Sequence, residues 1–364
     1  MSRLVDEDLA RRIQTAPDPE LTGEWPAERL KCLCDANVFR WGLPVESGGW
    51  DVTIPQVLEG YVDLARLCLT TAFILTQRDA ACHRIANCSN LELRQKLLPD
   101  LCSGRILATV GISHLSTSRQ HWSRPSVVAH PTSDGYELSG EAPWVTAACR
   151  ADLLVTGAAI DNGGQILAAI PMQREGVTVC DPLKLFALNS SLTGSVMFDR
   201  VAVRTDEIVA GPAAHVMKIG ATGGTGSLTT TAVAIGAASR TIDGLRAETA
   251  TRPELAEFVH ALADELHQLR SELLRVDLSP ASPGALNASD GRTPAEELRR
   301  RANSLAARAA QAFVCCAKGA GFVAGHPAGR ALREAMFFHV WSCPPAVTKA
   351  SLAELATSVD RSTR

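Results

Sequence analysis

Apolar positions recur at helical spacing through the first hundred residues, then at short β-type intervals, then at helical spacing again. The opening third predicts helices over Leu4–Ile13, Trp25–Ala36, Ile54–Leu75, Thr76–Ile85 and Asn90–Leu101. The last is N-capped by Asn90. Leu43–Gly49 is a turn-rich linker. From Leu107 to about Val201 the runs are short and β-branched: Ser126–Ala129, Gly135–Leu138, Leu153–Thr156, Ile166–Ile170, Val177–Val179 and Ser195–Phe198. Asn162-Gly-Gly164 separates two of them and reads as a hairpin turn. After Gly211 helices return at Gly223–Glu248, Pro253–Val276, Pro294–Cys316, Ala328–Val340 and Ala346–Ala356. Ser279–Pro294 is a loop, and the basic run Arg299–Arg301 is a solvated helix face. The α, β, α order has no internal repeat. It predicts an α+β fold with domains at 1–106, 107–211 and 212–364.

Composition narrows the function classes. Charged residues are 21% of the chain, aromatics 5%, and the net charge is −3. No basic block accompanies stacking aromatics, so a nucleic-acid partner is not expected. No apolar run is long enough to span a bilayer, and the charged N-terminus lacks a signal-peptide core. A cytoplasmic location is expected. The eleven cysteines are scattered, without a CxxC pair, and read as reduced, buried thiols; no His/Cys spacing suggests a metal site.

One stretch carries candidate chemistry, Ser139–Asp152. It places Trp144 two residues before Thr146. In an extended strand these side chains share a face, so an indole and a hydroxyl stand together as a wall for a flat heterocycle. A core tryptophan beside a threonine fits the local pattern as well.

Several segments in order resemble the acyl-CoA dehydrogenase superfamily. Leu43-Pro-Val-Glu-Ser-Gly-Gly49 is similar to its LPxxxGG entry, and Glu92–Gly104 to its QKxxxLPxLxxG helix exit. Ser139–Asp152 is similar to its G-x-K-x-W-I-T-N-A-x-x-A-D strand, and Phe198–Val203 to F-x-x-V-x-V. Gly319–Phe322 and Arg330–Ala335 resemble GGxGY and R-x-x-R-D-A. The likeness covers about residues 40–350. It implies an N-terminal helical domain, a middle β-barrel and a C-terminal four-helix bundle. It further implies FAD as cofactor, an acyl-CoA or acyl-carrier-protein substrate, and a homodimer or homotetramer. Val110, Gly111, Ile112, Ser113, Trp144, Val145 and Thr146 are then the flavin-contacting positions, and Ser118, Phe338 and Trp341 substrate-binding ones.

The departures bear on mechanism. The family's T-E-P-x-A-G-S-D loop corresponds to Gly111–Ser118. Its R-x-x-F-G segment has no counterpart in Arg246–Pro253, and its Gln falls at Cys315. Its I-Y-E-G-T stretch aligns with Val340–Pro344, which puts Ser342 in place of the catalytic Glu. The alternative Glu position falls near Gly226. An acyl thioester gives up its α-proton only to a base, and a neutral serine is a poor one. His339, about one helical turn from Ser342, and His114 in the altered loop are the replacement candidates. Three readings follow: a dehydrogenase with a displaced base, a flavin-dependent monooxygenase, and a flavin-free acyl-thioester-binding or non-redox member of the family.

Overall fold

The structure, a computed structural model, describes residues 3–116, 124–160, 163–219, 228–250, 252–276 and 293–356. The chain divides into two compact units, Met1–Val57 with Thr70–Gly224, and Leu58–Leu69 with Thr225–Arg364.

The helices before the sheet are α1 (Glu7–Thr15), α2 (Pro19–Thr22), α3 (Ala27–Asp35), α4 (Ile54–Leu67), α5 (Leu69–Ala86) and α6 (Leu91–Ser103). The expected single helix over Ile54–Leu75 is two helices, broken at Cys68. Apolar residues run straight through the break, so periodicity carries no sign of it. The expected Thr76–Ile85 helix is the second half of α5. α6 starts where its cap predicts, with the Asn90 side chain accepting from Leu93 N at 3.0 Å. It ends at Gly104 in the left-handed region, where a Cβ would stand 2.6 Å from Cys34 Sγ.

Among the described residues eight strands form one mixed sheet: β1 (Ala108–Gly111), β2 (Val127–Pro131), β3 (Gly135–Val145), β4 (Leu153–Ile160), β5 (Gln165–Pro171), β6 (Val177–Val179), β7 (Gly194–Arg204) and β8 (Ile208–Ala213). A short helix, α7 (Ser113–Ser116), follows β1. The order is β6-β7-β3-β2-β4-β5-β8, with β1 parallel to β4. Among the described residues β6 and β8 do not pair, so the sheet is open where a closed barrel was expected. Alternate residues of the central strands enter different cores. Leu153, Val155, Leu167 and Ala169 join a cluster with α5 and α6 residues. Leu154, Ala158, Ile166, Ala168 and Ile170 join a second cluster with β2, β3 and β7 residues. Burial on both faces makes these strands near-continuous apolar runs.

The other unit holds α8 (Leu228–Thr249), α9 (Ala256–Arg275), α10 (Pro294–Ala317), α11 (Pro327–Phe337) and α12 (Pro345–Ala356). Gly236 of α8 lets the 58–69 segment approach closely; a Cβ there would sit 2.3 Å from Val62 O. α10 opens with a capping box between Thr293 and Glu296. The basic run on α10 is not one solvated face. Arg300 pairs with Glu297 and Glu354, Arg301 pairs with Glu272, and Arg299 is fully buried. α11 stops at Phe337, three residues short of the expected Val340.

Among the described residues no helix is long and apolar enough to cross a membrane, and no group of His, Cys, Asp or Glu is placed to hold a metal. No disulfide joins any of the eleven cysteines. They are less uniformly buried than the pattern suggested: Cys149 and Cys315 are exposed, while burial pushes the Cys82 thiol up to about 12.

Candidate functional site

The residues implied for a cofactor gather at the end of β1 and β3. β1 runs parallel to β4, and Thr156 Oγ1 donates to Gly111 O at 2.7 Å. Gly111 leaves little room for a side chain: a Cβ would lie 3.0 Å from Val145 Cγ2 and 3.2 Å from Leu154 Cδ1, so those side chains would have to yield by a few tenths of an ångström. The bulk of Val145 and Leu154 thus goes with the missing hydroxyl. Ser113 Oγ donates to Pro143 O at 2.9 Å and ties α7 to the end of β3. Val110 is buried in the core, and Ile112 packs against the same cluster half-buried.

Trp144 and Thr146 do not share a face, contrary to the strand geometry expected. The ladder with β7 shifts register between Ala142 and Val145. Trp144 itself has φ +59°, and β3 ends one residue later. The break turns the indole outward, 51% exposed, while Thr146 is 1% exposed. A bulky residue in the left-handed region is an uncommon, strained conformation that clusters at functional sites. The Thr146 hydroxyl is engaged inside. It lies 3.2 Å from Thr193 Oγ1, which lies 2.9 Å from Ser191 Oγ. Thr146 O accepts from Thr109 Oγ1 at 2.7 Å. Thr193 and Ser191 escaped the sequence reading; the hydroxyl-rich Asn189–Ser195 stretch is the signal that pointed to them.

His114 is buried on α7, its Nε2 donating to Gly157 O at 2.8 Å. A carbonyl only accepts, so that nitrogen carries the proton. The ring fastens α7 to β4 rather than facing solvent as a base. Ser118 and the Gly226 position lie outside the described residues.

The second set of candidates lies in the turn between α11 and α12. Because the helix ends at Phe337, His339 and Ser342 do not share a helical face as expected. Ser342 has φ +46° and is half-buried. Phe338 is fully enclosed in the bundle, so it packs core rather than lining a substrate path. Trp341 stacks on Phe337 with ring centroids 5.1 Å apart and keeps partial exposure. Burial pulls the His339 pKa below its usual value, and the charge of Arg299 pulls the same way; Glu354 opposes. The imidazole is neutral at pH 7.

Two residues missed by sequence reasoning grip this turn from α10. Arg299 Nη2 donates to Trp341 O at 3.1 Å, and Asn303 Nδ2 donates to Phe338 O at 2.8 Å. Glu334 of α11, a carboxylate near the turn in sequence, is committed elsewhere. It is 2% exposed and paired with Arg240 and with Arg330 at 2.7 Å.

The helices, mixed sheet and helical bundle are those of the acyl-CoA dehydrogenase fold. A glutaryl-CoA dehydrogenase solved with glutaryl-CoA superposes with TM-score 0.81 at 18% identity, over 96% of this chain and 93% of that one. A glutaryl-CoA dehydrogenase from Mycobacterium smegmatis, solved in complex with FADH2, gives 0.76 at 16% identity, over 98% and 96%. The profile of the acyl-CoA dehydrogenase N-terminal domain matches residues 1–105. The probable acyl-CoA dehydrogenase YngJ of Bacillus subtilis (strain 168) is 21% identical over 356 residues, 93% of each chain. Dibenzothiophene monooxygenase of Mycolicibacterium goodii is 25% identical over 215 residues, 57% of this chain; the match spans about half, 51%, of that enzyme. Residues 1–105 thus match the acyl-CoA dehydrogenase N-terminal domain, and the chain as a whole has the acyl-CoA dehydrogenase fold.

Proposed function

We propose that this protein is an FAD-dependent oxidoreductase acting on an acyl thioester, with His339 in place of the carboxylate base. The observation that supports it most is the turn at Phe338–Ser342. Its aligned base position is Ser342, in a left-handed conformation, and three residues before it stands the half-buried imidazole of His339, whose pKa burial lowers. Nearby Glu334 is held by two arginines and unsuited to proton transfer. An imidazole kept neutral at pH 7 is able to accept a proton.

The residues at the sheet end fit the flat part of a flavin through the exposed Trp144 ring, held out by a strained backbone. They do not supply the Thr146 hydroxyl, which Thr193 already engages. Trp144 and the α7 segment would hold the ring system. Bound FAD supplies the electron-accepting chemistry. His339 takes the α-proton, and Trp341 packs against the acyl group. A homodimer or homotetramer completes the reading, with the substrate carried on coenzyme A or an acyl carrier protein.

A second reading, flavin-dependent monooxygenation, is favoured by the absence of a carboxylate at Ser342 and by the dibenzothiophene monooxygenase likeness. Oxygen transfer does not require α-proton abstraction. The absorption spectrum tests the shared premise: protein incubated with excess FAD and desalted is expected to carry the yellow oxidised-flavin bands. A colourless protein overturns both readings. Isotopic oxygen from labelled O2 in the product separates the second from the first.

A further inference from the structure

The α11–α12 turn rests on a buried cation, Arg299, that makes no ion pair with a carboxylate among the described residues. Arg299 is 0% exposed, and among the described residues its side chain makes one hydrogen bond, to Trp341 O. Its Nε and Nη1 are buried without a hydrogen-bond partner among the described residues. The guanidinium carbon lies 5.9 Å from the Phe338 ring centroid and 5.8 Å from that of Trp341. One helical turn along α10, Asn303 is equally buried, and its Oδ1 is also unpartnered. Most buried polar atoms in folded proteins find partners, and a buried ion without a counter-ion is costly.

The spacing explains what the pair does. Residues four apart on α10 meet carbonyls three apart on the turn, Phe338 O and Trp341 O. His339 and Val340 lie between the two pinned carbonyls, and Ser342 follows the second. The charged and titratable groups that bear on the imidazole are Arg299 from α10 and Glu354 from α12. Cys343, on the same turn, bears on Arg299. Glu354 is itself engaged by Arg300 at 2.7 Å and Ser304 at 2.5 Å.

We propose that Arg299 and Asn303 are positioning residues for His339: they pin its turn at both ends, and the unmatched Arg299 charge bears on the imidazole across it. This rests on His339 being the base. The direction of its pKa agrees, since a fixed positive charge disfavours the imidazolium. Burial lowers the guanidinium itself to about 10, so it stays charged at neutral pH.

The test is the NMR titration of His339 in the full-length protein with labelled histidine, assigned by His339→Gln. Arg299→Met removes the charge and keeps bulk; the His339 midpoint is expected to rise by about half a pH unit or more. Arg299→Lys keeps the charge and is expected to leave it within about 0.3 unit. A midpoint unmoved in Arg299→Met, with the fold intact by circular dichroism, overturns the proposal, because a purely structural clamp predicts that result. If Arg299→Met does not fold, Arg299→Gln removes the same charge and keeps a donor for the Trp341 carbonyl. A raised midpoint then supports the proposal and an unchanged one overturns it. Turnover that survives His339→Gln sinks the base reading alone, since the titration does not depend on activity.

Discussion

The sheet end and the bundle turn are built on opposite terms. Around Thr146, hydroxyls bond to one another and to backbone: Thr109 to Thr146 O, Thr146 to Thr193, Thr193 to Ser191. Around His339, Arg299 and Asn303 each make one hydrogen bond and leave other buried polar atoms unmatched. A saturated network stabilises and fixes one geometry. An unmatched charge costs stability and keeps its field available to a neighbour. The polar residues at the sheet end therefore read as framework, with Trp144 the part left open. The bundle turn reads as the place where electrostatics is kept for chemistry.

The largest test of this contrast is within the bundle. Glu334→Gln leaves Arg240 and Arg330 beside a neutral, buried amide, and should cost about 3 kcal/mol in urea unfolding. Arg299→Met, by contrast, removes an ion with no counter-charge among the described residues and should be near neutral. If both cost the same, the distinction between matched and unmatched charge fails.

At the sheet end, Gly111→Thr restores the hydroxyl of the family pattern but forces a Cβ to 3.0 Å from Val145 Cγ2. It should lose about 1–3 kcal/mol by thermal unfolding. A companion Val145→Ala should recover part of that loss. Thr193→Val breaks the hydroxyl chain in the middle and should cost about 1 kcal/mol, with Thr146 and Ser191 left to find other partners. No loss would show that the chain is not a framework.

Protons give a gentler effect. Burial lowers the pKa of both His83 and His339 below the unfolded value of about 6.5. Below that pH the unfolded chain binds more protons than the folded one, so stability falls with falling pH. The contribution of the neutral rings is fully present above the unfolded pKa and is lost as pH drops toward the folded values. The Tm should decline from pH 7.5 to 5.5, and His83→Gln with His339→Gln should flatten that slope. The smallest stability change is expected at Trp144. Trp144→Gly relieves a positive φ and should move stability by less than about 1 kcal/mol in either direction. FAD retention should nevertheless drop if the indole is the flavin platform.

Much of the fold was legible because local rules and burial agreed. Asn90 marked the start of α6, and Leu153–Thr156 and Ile166–Ile170 marked strands whose continuous apolar character reflects cores on both faces. The break at Cys68 was not legible, since both neighbouring helices are apolar across it. At the sites, sequence reached the right segments and misjudged orientations. Period-two alternation put Trp144 and Thr146 together, and a register shift with a left-handed residue separated them. Helical spacing paired His339 with Ser342, and the early end of α11 undid it.

The order of helices and strands, the altered loop at Gly111 and the serine at 342 were set out by the sequence alone, because they are properties of residue identity and spacing. Which of three adjacent arginines is buried was decided by tertiary packing. Arg299, Arg300 and Arg301 look alike in one dimension. The fold gives two of them carboxylates and turns the third inward to the carbonyl of Trp341. Burial depends on which way a helix faces its neighbours, and charge acts through distances that no linear spacing records.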